Sequence, residues 1–159
     1  PLIRGGAQER GRRGGTENIP AIVGMGAAIE RAVKRMNEEA PRLSALRDTL
    51  IAGLEKAIPS CRLNGPRGER RLPGNVNFSF PGAEAEALLL HLDLAGIAAS
   101  SGSACSSGAL DPSHVLLAIG LDRQSARSSL RFTLGEENTI EDVYRLLEVF
   151  PPILARSTA

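Results

Sequence analysis

The sequence predicts an α/β chain: an α+β small domain, in which helices pack on a small and mainly antiparallel sheet, preceded by a long helix kinked at a proline. Three observations carry that expectation. Apolar residues recur at helical spacing through residues 22–54, 84–95 and 140–150, as in helices with one buried face. They recur at every second position in residues 75–80 and 130–134, as in half-buried strands. The two patterns interleave along 159 residues with no internal repeat. That order suits one sheet layered against helices, not a complete doubly wound sheet.

Residues 1–17 hold five glycines and no apolar period, so they read as a loop. Asn18 suits an N-cap, and Pro20 is tolerated in a first helical turn. Ile22, Met25, Ile29, Ala32 and Met36 then repeat at helical spacing. Pro41 breaks or kinks the run, and Leu43, Leu46, Leu50 and Leu54 resume it. Arg42, Arg47, Asp48 and Glu55 fall largely elsewhere on the wheel. Residues 60–63 read as a short strand and 64–73 as a polar turn region. Val76, Phe78 and Phe80 share one face of a strand that Pro81 and Gly82 end. Residues 84–95 form a helix around Leu88, Leu89 and Leu92, with His91 packed along it and Gly96 as its C-terminal cap. Residues 97–99 read as a strand. Asp111 and Pro112 start a helix through Val115 and Ile119 to Gly120. Residues 128–134 form a strand. Thr139 and Asp142 make a capping box for a last helix. Its apolar face is Ile140, Val143, Leu146, Leu147 and Phe150, and Pro151-Pro152 interrupts it.

Composition narrows the function classes. No run approaches the ~20 apolar residues of a membrane span, and the basic, Gly-rich opening lacks the apolar stretch of a signal peptide. The opening on Pro1 without a Met fits a fragment or a processed product. Residues 1–72 carry 14 Lys and Arg against 8 Asp and Glu; residues 73–159 carry 5 against 10. The first part attracts anions, and the second disfavours nucleic acid. With no Trp and one Tyr, stacking platforms for bases are scarce. Cys61 and Cys105 are too few for a disulfide framework and suit a reducing, cytoplasmic setting. His91 and His114 lack metal-motif spacing with them, so no metal site is expected.

Cys105 is the most informative residue. It stands in Ser100-Ser101-Gly102-Ser103-Ala104-Cys105-Ser106-Ser107-Gly108, where no bulky side chain locks the chain by packing. A thiol there reads either as a nucleophile free to reach a substrate and then an acceptor, or as a small buried hydrophobe in a tight turn. Cys61, beside Arg62 and Leu63, reads as structural. The Gly/Arg loop before Thr16 offers backbone donors, arginines and a hydroxyl just ahead of a helix, a place for phosphate or simply a solvated terminus. Arg131 points away from the face shared by Leu130, Phe132 and Leu134: a carboxylate fork or a solvated strand face. His114 either orients the Cys105 loop, serves as acid or base, or caps a helix.

Several segments together resemble one family. Residues 5–18, GGAQERGRRGGTEN, are similar to the GGxQERGxRxGTxN motif of cysteine desulfurases. Residues 100–108 resemble their active-site loop in its longer, NifS/IscS form, and residues 110–116 and 128–132 continue the likeness in the same order. The resemblance implies the C-terminal part of a fold-type I pyridoxal phosphate (PLP) enzyme, a homodimer that converts L-cysteine to L-alanine and holds the sulfur as a persulfide. It implies residues 1–18 as an edge of the PLP-binding large domain, 19–58 as connecting helices and 59–159 as the small domain. Cys105 becomes the sulfur acceptor, Arg131 the holder of the substrate carboxylate, and Thr16 a contact to the PLP phosphate of the neighbouring subunit. Gly102, Ser103 and His114 become loop supports. An iron–sulfur scaffold or another acceptor protein is the implied partner.

One departure is large. The family's PLP lysine, its ring-stacking histidine and the aspartate for the pyridine nitrogen have no counterpart here; Lys34 and Lys56 sit in helical segments outside any matching motif. The chain alone is therefore expected to be inactive. Rival readings are a non-catalytic truncated paralogue or sulfur carrier, a selenocysteine lyase, and an RNA-binding segment built on the triplets Arg4-Gly5-Gly6 and Arg13-Gly14-Gly15.

Overall fold

Alternation along two strands creates the two faces on which everything else is arranged. The computed structural model describes residues 1–102 and 112–157, in two units, Pro1–Glu38 and Glu39–Ala159. In the second unit β1 (Arg62–Leu63), β2 (Asn75–Ser79), β3 (Ser100–Ser101) and β4 (Ser129–Thr133) form one sheet in the order β1-β2-β4-β3. Every pairing in it is antiparallel, as expected. The β2–β4 register sets Val76 against Phe132, Asn77 against Arg131, Phe78 against Leu130 and Ser79 against Ser129. Val76, Phe78, Leu130 and Phe132 therefore share the apolar face, and all four are buried. Asn77, Ser79, Ser129 and Arg131 share the other.

The apolar face is covered by α2 (Ile19–Ala57) over its later turns, α3 (Ala85–Leu94) and α6 (Ile140–Ser157). Leu46, Leu50, Ile51 and Leu54 of α2, Leu88 and Leu92 of α3, and Val143, Leu146, Phe150 and Leu154 of α6 meet there. Phe150 stands edge-on to Phe80 and Phe132, with ring centroids 4.8 and 5.8 Å apart. That is the favoured geometry of aromatic pairs. The predicted capping box is present: Thr139 N donates to Asp142 Oδ2 at 2.9 Å, and Asp142 N to Thr139 Oγ1 at 3.4 Å.

In this second unit five expectations are corrected. Pro151-Pro152 does not interrupt the last helix, which continues to Ser157. The prolines remove two backbone donors, but Phe150 and Leu154 on either side are buried anchors. The strand expected at 97–99 lies at Ser100–Ser101, because that is where residues come opposite β4. Arg47 is not on an outer face of α2 but 3% exposed. Its guanidinium donates to the carbonyls of Arg71 and Leu72 and, through Nε and Nη2, to Asp48. His91 is exposed rather than packed. The helix expected from Asp111 starts at His114, as the five-residue α4 (His114–Ala118); Asp111 lies outside the described residues. Unforeseen is α5 (Arg123–Arg127), capped by Asp122, which accepts from Ser125 N and Oγ.

In the first unit, Asn18 caps α2 as expected, its Oδ1 accepting from Ala21 N at 3.2 Å. The helix is continuous through Pro41. Residues 1–17 are not wholly irregular: α1 (Gln8–Gly11) is a single turn in which Glu9 and Arg10 adopt left-handed φ of 50° and 57°. The ends of this loop meet where Gly14 N donates to Ile3 O at 2.8 Å. A Cβ on Gly14 would lie 2.6 Å from the Gly5 Cα, so a glycine is required there.

Candidate functional site

Arginine carries five N–H donors in a rigid fork, and a buried fork needs acceptors. In this chain most partly or fully buried arginines have them. Arg47 holds two carbonyls and Asp48. Arg71 holds the carbonyls of Pro66 and Asn64 and the side chain of Asn75. Arg42 holds Glu39 and the carbonyls of Glu136 and Asn138. These three fasten loops. Arg131 differs. Its Nε is fully buried and has no hydrogen-bond partner among the described residues. Its cross-strand neighbours, Asn77 and Ser100, are neutral. A buried donor left unmade costs about 1–3 kcal/mol, and an incoming carboxylate would recover that cost with two parallel charge-assisted bonds.

β3 joins Arg131 to the Cys105 segment. Ser100 pairs with Arg131, Ser101 pairs with Leu130, and Gly102 follows with φ +54°. Ser103 and Cys105 lie outside the described residues. His114 is the exposed first residue of α4. Arg131 on the inner strand β4 and Ser100 on the edge strand β3 are thus brought side by side, with Gly102 just beyond β3. Thr16 belongs to the first unit, where it is exposed just before α2. In the same loop Arg13 Nε and Gln8 Oε1 are buried without partners among the described residues.

Cys61 behaves as the sequence suggested. Its Sγ lies 3.8 Å from Leu54 O. Burial, then the nearby Glu55, push its pKa up to about 11, so it stays a thiol near neutrality and is a poor nucleophile. Among the described residues no group of three or more His, Cys, Asp or Glu could hold a metal ion. None of their helices is long and apolar enough to cross a membrane.

A family model described as aminotransferase class-V matches residues 6–146. The chain belongs to that family. Among curated proteins it is 58% identical over 154 residues to cysteine desulfurase IscS of Clostridium botulinum, covering 96% of this chain and 39% of the relative. It is 47% identical over 156 residues to cysteine desulfurase NifS of Azotobacter vinelandii, covering 98% and 39%. The chain thus spans about two fifths of the length of these relatives. Among solved structures, a NifS-like protein superposes with a TM-score of 0.83 at 36% identity, covering 98% of this chain and 39% of that one. A NifS-like protein from Rickettsia africae gives 0.83 at 33% identity, covering 98% and 40%. The α/β fold expected from the sequence is shared with these NifS-like structures over the part matched.

Class-V aminotransferases and cysteine desulfurases are in general PLP-dependent, and PLP is held by a lysine on its aldehyde. The residues present do not fit that demand. Lys34 is paired with Glu30 at 2.6 Å on the exposed side of α2, and Lys56 lies exposed in its last turn. What the chain does present is an arginine on one strand whose buried Nε has no partner among the described residues, and a Gly/Arg loop with a hydroxyl in the other unit.

Proposed function

We propose that this chain is the part of a cysteine desulfurase that grips L-cysteine by its carboxylate and carries off its sulfur. The observation that carries the reading is the Nε of Arg131, buried without a partner among the described residues, on the strand paired with the root of the Cys105 segment. The names of the relatives support the same reading. Arg131 fixes the substrate's carboxylate. Cys105 is five residues from Ser100, at most about 18 Å of extended chain, so its sulfur is tethered near that grip. The Cys105 thiolate bonds to the substrate sulfur as the substrate C–S bond breaks. The bond's electron pair stays on the carbon skeleton, which takes a proton and leaves as L-alanine. Cys105 is left as a persulfide, and the atoms balance with no external oxidant. PLP supplies the electron sink for this chemistry when bound, anchored by a lysine that this chain lacks.

Thr16, with the backbone N–H groups of its loop, is assigned to the phosphate of that cofactor in a neighbouring subunit of a homodimer. Gly102, Ser103 and His114 support the Cys105 loop. Residues 1–18 are an edge of the cofactor-binding domain, 19–58 the connecting helices and 59–159 the small domain. The persulfide passes to an iron–sulfur scaffold or another acceptor protein in the cytoplasm. The chain by itself is inactive.

Non-reducing peptide mass spectrometry tests the reading. A longer form that supplies the lysine, given PLP and L-cysteine, should gain one sulfur on Cys105, while this chain alone should gain none. Arg131→Gln in the longer form should raise KM for L-cysteine by about tenfold or more, as expected for a lost charged hydrogen bond of about 1.5–3 kcal/mol. Absence of sulfur on Cys105 in the PLP-loaded longer form would sink the assignment.

A further inference from the structure

The sheet register places Asn77 of β2 directly across from Arg131 of β4, with Ser100 of β3 on the other side. Directly opposed residues of antiparallel strands have Cβ atoms about 4.5–5.5 Å apart. Asn77 and Arg131 therefore stand side by side on the same face of the sheet. The Asn77 amide is held in place. Asn77 Oδ1 accepts from Asn64 Nδ2 at 2.7 Å. Asn64 is 4% exposed. Its Nδ2 also reaches Ser79 Oγ at 2.9 Å and Ser129 Oγ at 3.3 Å, its Oδ1 accepts from Ser79 Oγ at 3.2 Å, and its carbonyl accepts from Arg71. Ser129 Oγ donates in turn to Ser125 O at 2.7 Å. A buried polar network this well satisfied is rigid, and Asn77 is its partly exposed outer member.

The bond from Asn64 fixes which end of the Asn77 amide is its oxygen, and leaves the N–H₂ as the end free to donate. An amide oxygen turned the other way would accept from Arg131 and occupy the donor that a carboxylate needs. An aspartate there would neutralise the fork outright. We propose that Asn77 is the second arm of the carboxylate site: its N–H₂ donates to the substrate carboxylate oxygen beside Arg131 Nε, and Asn64 is the positioning residue that keeps it so turned. This rests on the reading of Arg131 as the carboxylate anchor.

The test uses the 159-residue chain and titrates L-alanine while following the Arg131 Nε–Hε NMR resonance, with ethylamine as the probe lacking a carboxylate. In the wild type the resonance should move with L-alanine and not with ethylamine. Asn77→Ala removes one neutral donor and should weaken binding about three- to tenfold. Asn77→Asp keeps an oxygen for Asn64, which preserves the network. It should shift the Arg131 resonance before any ligand is added and weaken L-alanine binding by more than tenfold, with partial recovery as the pH falls below about 4. A wild type that does not respond to L-alanine overturns the Arg131 reading and this proposal with it. A wild type that responds, with both Asn77 variants binding within twofold of it, overturns the proposal alone.

Discussion

Three aspartates show how single residues set the acid limit of this fold. Asp48, Asp122 and Asp142 all hold their pKa values below the usual carboxylate range. The first does so mainly through its bond to Arg47, the second through Ser125, the third through the Thr139 N–H. A depressed carboxyl pKa gives stability that is present above the unfolded value of about 3.9 and lost as the pH falls through the lower folded one. Stability should therefore be flat from neutrality to about pH 5 and decline below about pH 4. Asp48→Asn should flatten that decline in urea titrations across this range. At neutral pH it should cost about 1 kcal/mol or less, since Asp48 is 56% exposed. Arg131 was legible at this scale because alternation alone decides which side of a strand a residue faces. Arg47 was not: helical spacing marks a face as apolar but cannot show that a guanidinium reaches through it to the carbonyls of Arg71 and Leu72.

At the scale of elements, the long α2 and α6 meet where one of them has no side chain. A Cβ built on Gly53 would run into the Leu147 side chain. Gly53→Ala improves helix propensity yet should destabilise by about 1–3 kcal/mol through overpacking; a combined Gly53→Ala, Leu147→Ala variant should recover part of that loss in the same denaturant experiment. The elements legible in sequence were those with a long periodic run, such as β2, α3 and α6. The rest turned on non-local partners. β3 has two residues, and nothing in Ile97-Ala98-Ala99-Ser100-Ser101 says which of them will find β4. The end of α6 was misjudged because proline's local cost was weighed without the burial of Leu154. Missing α5 was avoidable, because Asp122 and Ser125 already have the spacing of a cap.

At the scale of the whole molecule, the first unit leaves its apolar side chains uncovered. Ile22, Met25, Ile29 and Met36 are each more than half exposed, although their spacing predicted a buried face. Such a stripe predicts concentration-dependent association: light scattering should show it in the wild type and show less of it for Ile29→Lys. The candidate residues can be named from the sequence as types in order, because chemistry fixes types. What only three dimensions could supply was the neutral company Arg131 keeps, since Asn77 and Ser100 are 54 and 31 positions away from it in the chain. The pairing of Ser100 with Arg131 has a mechanical meaning on the reading proposed above. The strand from which the Cys105 segment departs and the strand that bears Arg131 are then one ladder, so a slip of the β3–β4 register would misplace both at once.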